Sequence, residues 1–166
     1  MSHLFYQCSG IRSLNLSNFD TSSVEDMDEM FSKTSFLESL DLSNFNTKSL
    51  LSMKGMFFNC LNLMYLNISS FDTTSVTDMS EVFHSCSNLE TLDISNFKTT
   101  KNTLTYGLFQ DCKKLKSIIL PRKLSSSNME FMFQGCYSLT TLDLSHFDTS
   151  SVTNMGYMFN DCIELN

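Results

Sequence analysis

Leu37–Thr47 reads LESLDLSNFNT, and near copies recur along the chain: IRSLNLSNFDT at Ile11–Thr21, LMYLNISSFDT at Leu63–Thr73, LETLDISNFKT at Leu89–Thr99 and LTTLDLSHFDT at Leu139–Thr149. The central apolar residue falls at Leu14, Leu40, Leu66, Leu92, Ile118 and Leu142, a step of 26 residues that drops to 24 at the last. A second column, Phe5, Phe31, Phe57, Phe83, Phe109, Phe133 and Phe159, keeps the same register. Three residues after each Phe stands Cys8, Thr34, Cys60, Cys86, Cys112, Cys136 or Cys162. Two columns in one register define a repeat. A unit this short cannot bury its apolar side alone, so the copies stack and share one continuous core.

Within a unit, L-x-x-L-x-L is a short strand in which Leu40 and Leu42 point inward while Ser39, Asp41 and Ser43 point out. The S-x-F-D-T stretch is a turn that drops Phe45 or its equivalent into the core. The periodicity then changes: Val76, Met79, Val82 and Phe83 share one helical face, and Ser75 with Asp78, like Ser23 with Asp26, resembles a capping box. The pattern predicts an α/β, leucine-rich-repeat-like right-handed solenoid of about six strand–turn–short-helix repeats of 24–26 residues, one domain over residues 1–166. Met1–Cys8 reads as the tail of one unit and Leu165–Asn166 as the start of another, so both ends are expected to fall inside a repeat, leaving end-to-end self-association open. The fifth unit departs from the others. Leu115–Leu124, LKSIILPRKL, lacks the S-N-F-D-T turn, Pro121 replaces the turn Ser, and Leu124 is expected in the Phe slot.

Composition narrows the function. The net charge of -7 argues against nucleic acid, whose backbone is bound by an excess of Lys and Arg. One basic band stands out: Lys98 to Lys123 holds seven basic residues against the single acid Asp111. It is either a solvated surface patch or a binding surface. No apolar run is long enough for a membrane span, and Met1–Gly10 lacks the basic and apolar regions of a secretion signal. With only 5 Gly and 1 Pro, turns must be built from Ser, Asn, Asp and Thr, and phosphate-cradling glycine loops are missing.

The consensus L-x-x-L-D-L-S-N-F-D-T-S-S-V-T-D-M-x-x-M-F-x-x-C, with Ser145–Asn154 (SHFDTSSVTN) a particularly near copy, resembles the 26-residue repeats of the BspA-like leucine-rich repeat surface proteins. The likeness runs over essentially the whole chain, and the I-I-L-P unit is similar to a shorter repeat variant of the same superfamily. The resemblance implies a cell-surface or secreted repeat protein that recognises a protein or glycan on another cell or matrix. It offers no catalytic residues to carry over.

The candidate chemistry agrees with a non-enzyme. Cysteines one repeat apart lie about 5 Å apart if strand spacing sets the rise, which permits disulfides as well as packed thiols. Thr34 interrupts the column and favours a steric role, while zinc would need ligands at shorter spacing. His3, His84 and His146 occupy different repeat positions and assemble no triad. No cofactor or metal is implied. The outward strand column Asn15, Asp41, Asn67, Asp93, Ile119 and Asp143 is either a hydrogen-bonded ladder or a contact surface. Met64, Tyr65 and Ile119 are apolar residues placed outward on a polar face, a pattern of contact sites. The residues expected to bind are therefore Asp41, Asp93, Tyr65, Met64, Ile119 and Lys116. The reading is a recognition or adhesion module that binds through the strand face. The alternatives are a structural spacer of a larger surface protein and an intracellular repeat scaffold.

Overall fold

In the second to fifth repeats the strands form where the alternation places them; the first keeps only a bridge at Ser13, and residues 139–144 of the sixth form no strand. The computed structural model describes residues 1–145 and 147–166, in which β1 (Ser39–Asp41), β2 (Tyr65–Asn67), β3 (Thr91–Asp93) and β4 (Ser117–Ile119) recur at the repeat step. Leu40 and Leu92 are buried at the centres of β1 and β3, and their neighbours on either side are exposed. β1 pairs in parallel with β2, Leu40 opposite Leu66, and β3 with β4, Leu92 opposite Ile118. The offset between partners is the sequence period itself. Further along the coil, β5 (Leu124–Ser125) pairs in parallel with β6 (Phe147–Asp148). Leu124 lies opposite Phe147 and is 1% exposed, so it fills the Phe slot as the sequence predicts.

The segment after the turn is different from its expected form. Among the described residues no helix forms, and each predicted short helix is a run of tight turns. In the first coil Met30, Ser32 and Thr34 donate to the carbonyls of Met27, Glu29 and Phe31, three residues back. The amides between them, those of Met27, Glu29, Phe31 and Lys33, donate to Ser52, Lys54, Met56 and Phe58 of the next coil. A helix satisfies its amides within itself, and one of two turns is marginal without help. Stacked coils offer every second amide a partner on the neighbour, and the turn run accepts that offer. Parallel bridges from Asp26 to Ser52, Asp78, Leu104, Asn128 and Asn154 carry this ladder unbroken along the stack.

The turn run needs left-handed backbone at two positions per coil: Glu29 and Lys33, then Gly55 and Asn59, Glu81 and Ser85, Gly107 and Asp111. A positive φ at the third residue is what a type II turn demands, and Gly55 and Gly107 meet it without a Cβ penalty. The expected capping boxes are also reassigned. Asp78 Oδ1 accepts from Ser80 N at 2.8 Å and Asp26 Oδ1 from Asp28 N at 2.8 Å, so each carboxylate closes a turn two residues on.

The core lies between the strands and the turn runs. Phe31, Phe57, Phe83, Phe109 and Phe133 are wholly buried and stack as near-parallel rings, with centroids 5.7, 5.7, 5.4 and 5.2 Å apart. Val76, Met79 and Val82, assigned inward by a helical reading, are inward although the helix is absent. The cysteine column consists of free thiols that hydrogen-bond across coils: Cys60 Sγ donates to Phe31 O at 3.2 Å, Cys86 to Phe57 O at 3.3 Å and Cys112 to Phe83 O at 3.1 Å. Burial pushes the Cys60 and Cys112 thiols up to about 12.

Candidate functional site

The strand face presents its charges in pairs. Arg12 Nη1 lies 2.8 Å from Glu38 Oε1, and Lys116 Nζ lies 2.8 Å from Glu90 Oε2. These four residues occupy the position that opens each strand, and Met64 occupies it between the two pairs. Met64, Tyr65 and Ile119 are 58, 56 and 58% exposed; alternation turns Tyr65 and Ile119 outward, and Met64 lies just ahead of β2. They line a shallow cleft of about 240 Å³ together with Thr91, Asp93 and Ser117.

The cleft follows a seam in the sheet. Among the described residues, no ladder pair and no backbone hydrogen bond joins β2 to β3, although each is fully paired on its other side. Leu66 at the cleft floor is consequently half-buried, where Leu40 and Leu92 are 1 and 4% exposed. A second hollow of about 260 Å³ continues the seam past Asn67, Ser69 and Asp93.

Four of the six predicted residues thus come together: Met64, Tyr65, Asp93 and Ile119. Asp41 lies apart on β1, and Lys116 is engaged with Glu90 without lining the cleft. Hydrogen bonds and charge from Lys116 hold the Glu90 carboxyl below the usual carboxylate range. The Asn/Asp column proves to serve its own turns. Asp41 Oδ1 accepts from Ser43 N at 2.9 Å, Asp93 from Ser95 N at 2.8 Å, Asn15 from Ser17 N at 3.1 Å and Asn67 from Ser69 N at 3.2 Å. The Ser43 amide holds the Asp41 carboxyl below its ordinary value. Sequence reasoning left Leu66, Thr91 and Ser117 out of the site. Nothing local marks Leu66, because its column is buried in the neighbouring coils.

The described histidines stand apart from this cleft and from one another. His84 sits on the turn side between Glu81 and Asp111, at 3.7 and 3.8 Å, with Phe58 edge-on at 4.8 Å. Burial lowers its pKa, and the two carboxylates oppose that. His3 approaches Glu29 at 3.8 Å, and His146 lies outside the described residues. Among the described residues no group of three or more His, Cys, Asp or Glu could hold a metal ion, and no helix is long and apolar enough to cross a membrane.

Parallel coils in register, each opened by an L-x-x-L-x-L-type segment that forms a strand in four of them, define a leucine-rich-type repeat protein. The family described as "Mycoplasma protein of unknown function, DUF285" matches residues 1–65, 40–126 and 121–166, and the chain belongs to it. Among solved structures the chain is similar to a leucine rich cell surface protein from Faecalibacterium prausnitzii, with 26% identity and a TM-score of 0.57 over 84% of this chain and 34% of that one. It also matches a leucine-rich repeat protein from Bacteroides ovatus, at 23% identity and a TM-score of 0.47, over 82% of this chain and 37% of that one. The chain therefore spans about a third of the length of these proteins. No curated protein matches it. The BspA-like resemblance read from the repeat consensus holds.

Proposed function

We propose that this chain is a non-catalytic recognition module at a cell surface, a single stretch of right-handed solenoid that binds a protein or glycan of another cell or matrix through its strand face. The observation that carries the reading is the cluster of Met64, Tyr65 and Ile119, each more than half exposed around a cleft on an otherwise polar face. Exposed apolar groups inside a polar rim are the anatomy of a contact site. Surface placement is supported by the cell-surface description of the Faecalibacterium protein. The test is binding of the chain, and of its Tyr65→Ser/Ile119→Ser variant, to an array of matrix proteins and glycans. A partner that the wild type holds and the folded variant loses supports the reading. A partner held equally by both moves recognition off this face.

A second reading, a spacer that extends another domain, is favoured by one observation. The carboxylates of Asp41 and Asp93 close their own turns, as Asn15 and Asn67 do, so the ladder has a structural use without any ligand. Silence of a folded, monodisperse chain across the array is the outcome this reading expects.

A further inference from the structure

In the second, third and fourth coils the S-x-F turn caps the turn of the coil before it in two ways. Its Asn or Ser side chain covers the earlier turn's carbonyls: Asn44 Nδ2 donates to Leu16 O and Ser17 O, Ser70 Oγ to Leu42 O, and Asn96 Nδ2 to Ile68 O, Ser69 O and Phe71 O. Its backbone also receives the earlier coil's Thr hydroxyl, with Thr21 donating to Asn46 O, Thr47 to Asp72 O and Thr73 to Lys98 O. The fifth coil has Leu-Pro-Arg-Lys here and supplies neither cap. Among the described residues no side chain donates to Ile94 O, where Leu16 O, Leu42 O and Ile68 O each receive one, and Thr99 Oγ1 accepts from Ser125 N at 2.8 Å without donating onward. Ser95 O and Phe97 O also receive no donor, as Ser43 O and Phe45 O do not in the second coil. Thr99 is half-buried, whereas Thr21, Thr47 and Thr73 are at most 1% exposed.

The missing caps leave a hollow of about 590 Å³, with Phe97 and Leu120 beneath and Lys98, Arg122 and Lys123 at the rim. That volume lies in the range of small-ligand sites. Two of the cations are steadied from adjacent coils: Lys98 Nζ is 3.9 Å from Asp72 Oδ1, and Lys123 Nζ is 3.0 Å from Asp148 Oδ2. Arg122 is exposed and has no carboxylate partner among the described residues.

We propose that this hollow binds an acidic sugar, a uronate or sulfated residue of a polysaccharide. The Arg122 guanidinium takes a carboxylate or sulfate with two parallel hydrogen bonds, and the two lysines add charge. The uncapped carbonyls of Ser95 and Phe97 accept sugar hydroxyls, and Thr99 Oγ1 has a proton to give one. Phe97 and Leu120 lie under the apolar face of the ring. A bare inorganic anion uses only the cations and leaves the carbonyls unserved, which is why a polyol that carries an acid group fits best. The hollow shares no lining residue with the cleft of Met64, Tyr65 and Ile119 and does not rest on the reading of that cleft.

The experiment titrates the whole chain, at physiological salt, with a sulfated uronate-containing hexasaccharide, its uncharged counterpart and inorganic sulfate. The acidic oligosaccharide is expected to bind more tightly than either control. Arg122→Ser should weaken it by roughly tenfold or more, the effect of losing a charge-assisted bidentate pair. Lys113→Ser/Lys114→Ser, at the other end of β4 in the same basic band, should leave affinity within about twofold, as expected of distant sites. Thermal melting of Arg122→Ser checks that this exposed change leaves the fold intact. Equal loss from the Lys113/Lys114 variant, inorganic sulfate binding as tightly, or no binding of the oligosaccharide overturns the proposal. Loss on Tyr65→Ser with none on Arg122→Ser also overturns it, while moving the sugar to the strand-face cleft.

Discussion

The fourth and fifth coils share a core and differ in everything around it. The ring column passes through both without a change of spacing, 5.4 Å from Phe83 to Phe109 and 5.2 Å from Phe109 to Phe133. The chain reaches those rings by different routes. Phe97 to Phe109 takes twelve residues and Leu124 to Phe133 takes nine. The shorter route is closed by Ser126, which donates to Thr103 O at 2.8 Å and accepts from Asn128 N at 3.1 Å. A stacked core therefore tolerates a change of coil length so long as its inward columns stay in register. The caps between turns do not tolerate it, and the open space appears where they fail.

The largest effect that separates the coils is expected from pH. In the first coil Thr34 occupies the slot that holds buried thiols in the second, third, fourth and fifth. The Cys60 thiol moves from an ordinary 9.0 to about 12 on folding, so its contribution is intact below pH 9 and fades as pH climbs towards 12. Each such thiol should cost about 1.4 kcal/mol of stability per pH unit above 9. Urea midpoints measured between pH 8 and 11 should fall for the wild type and fall less steeply for Cys60→Thr. Parallel curves for the two proteins contradict the burial account.

Next in size, Phe83→Ala should cost about 3–5 kcal/mol, because the ring is fully buried between two stacked neighbours. Leu124→Ala should cost about 2–5 kcal/mol and less than Phe83→Ala, since a smaller side chain fills that slot. Chemical denaturation of both variants ranks them. A larger loss at Leu124 makes the fifth coil, with its irregular route, the keystone of the stack.

The comparison is sharpest at two threonines. Thr73 both donates to Lys98 O and accepts from Lys98 N, at 2.9 and 2.7 Å, so Thr73→Val should cost about 1–3 kcal/mol by leaving both groups buried and unpaired. Thr99→Val forfeits one bond at a half-buried position and should cost less than about 1 kcal/mol. Similar losses at the two sites mean that the fourth coil is capped after all. The smallest effect is reserved for Asp41→Asn, expected within about 0.5 kcal/mol in thermal melts. Asn15 and Asn67 already close the same turn with an amide oxygen, and a clear destabilisation shows that the charge itself matters there.

Much of this architecture could be read before any coordinates. The period, the parallel register, the inward Leu and Phe columns and the place of Leu124 all follow from residues recurring at one spacing. The outward exposure of Tyr65 and Ile119 follows from strand alternation alone, while Met64 is exposed because it lies just ahead of β2. The short helices were read from the spacing of Val76, Met79, Val82 and Phe83, and that spacing correctly marks the buried side. It does not mark the backbone, because a chain of turns with left-handed residues at fixed intervals buries the same set. The site was legible in part for a related reason. Asp41 and Lys116 are outward as expected, but their partners, the Ser43 amide and Glu90, had already engaged them.

What the sequence determined by itself is which residues face in, which face out, and that one copy lies on the next, since these depend on side-chain identity and spacing within a repeat. What only the tertiary structure decided is where hydrogen bonds go between copies: amides crossing to the next coil instead of closing helices, the parting of β2 from β3 around Leu66, and the missing side-chain caps above the fourth coil. Each is a competition between a partner within the coil and one on its neighbour, and it is settled only when the two are stacked.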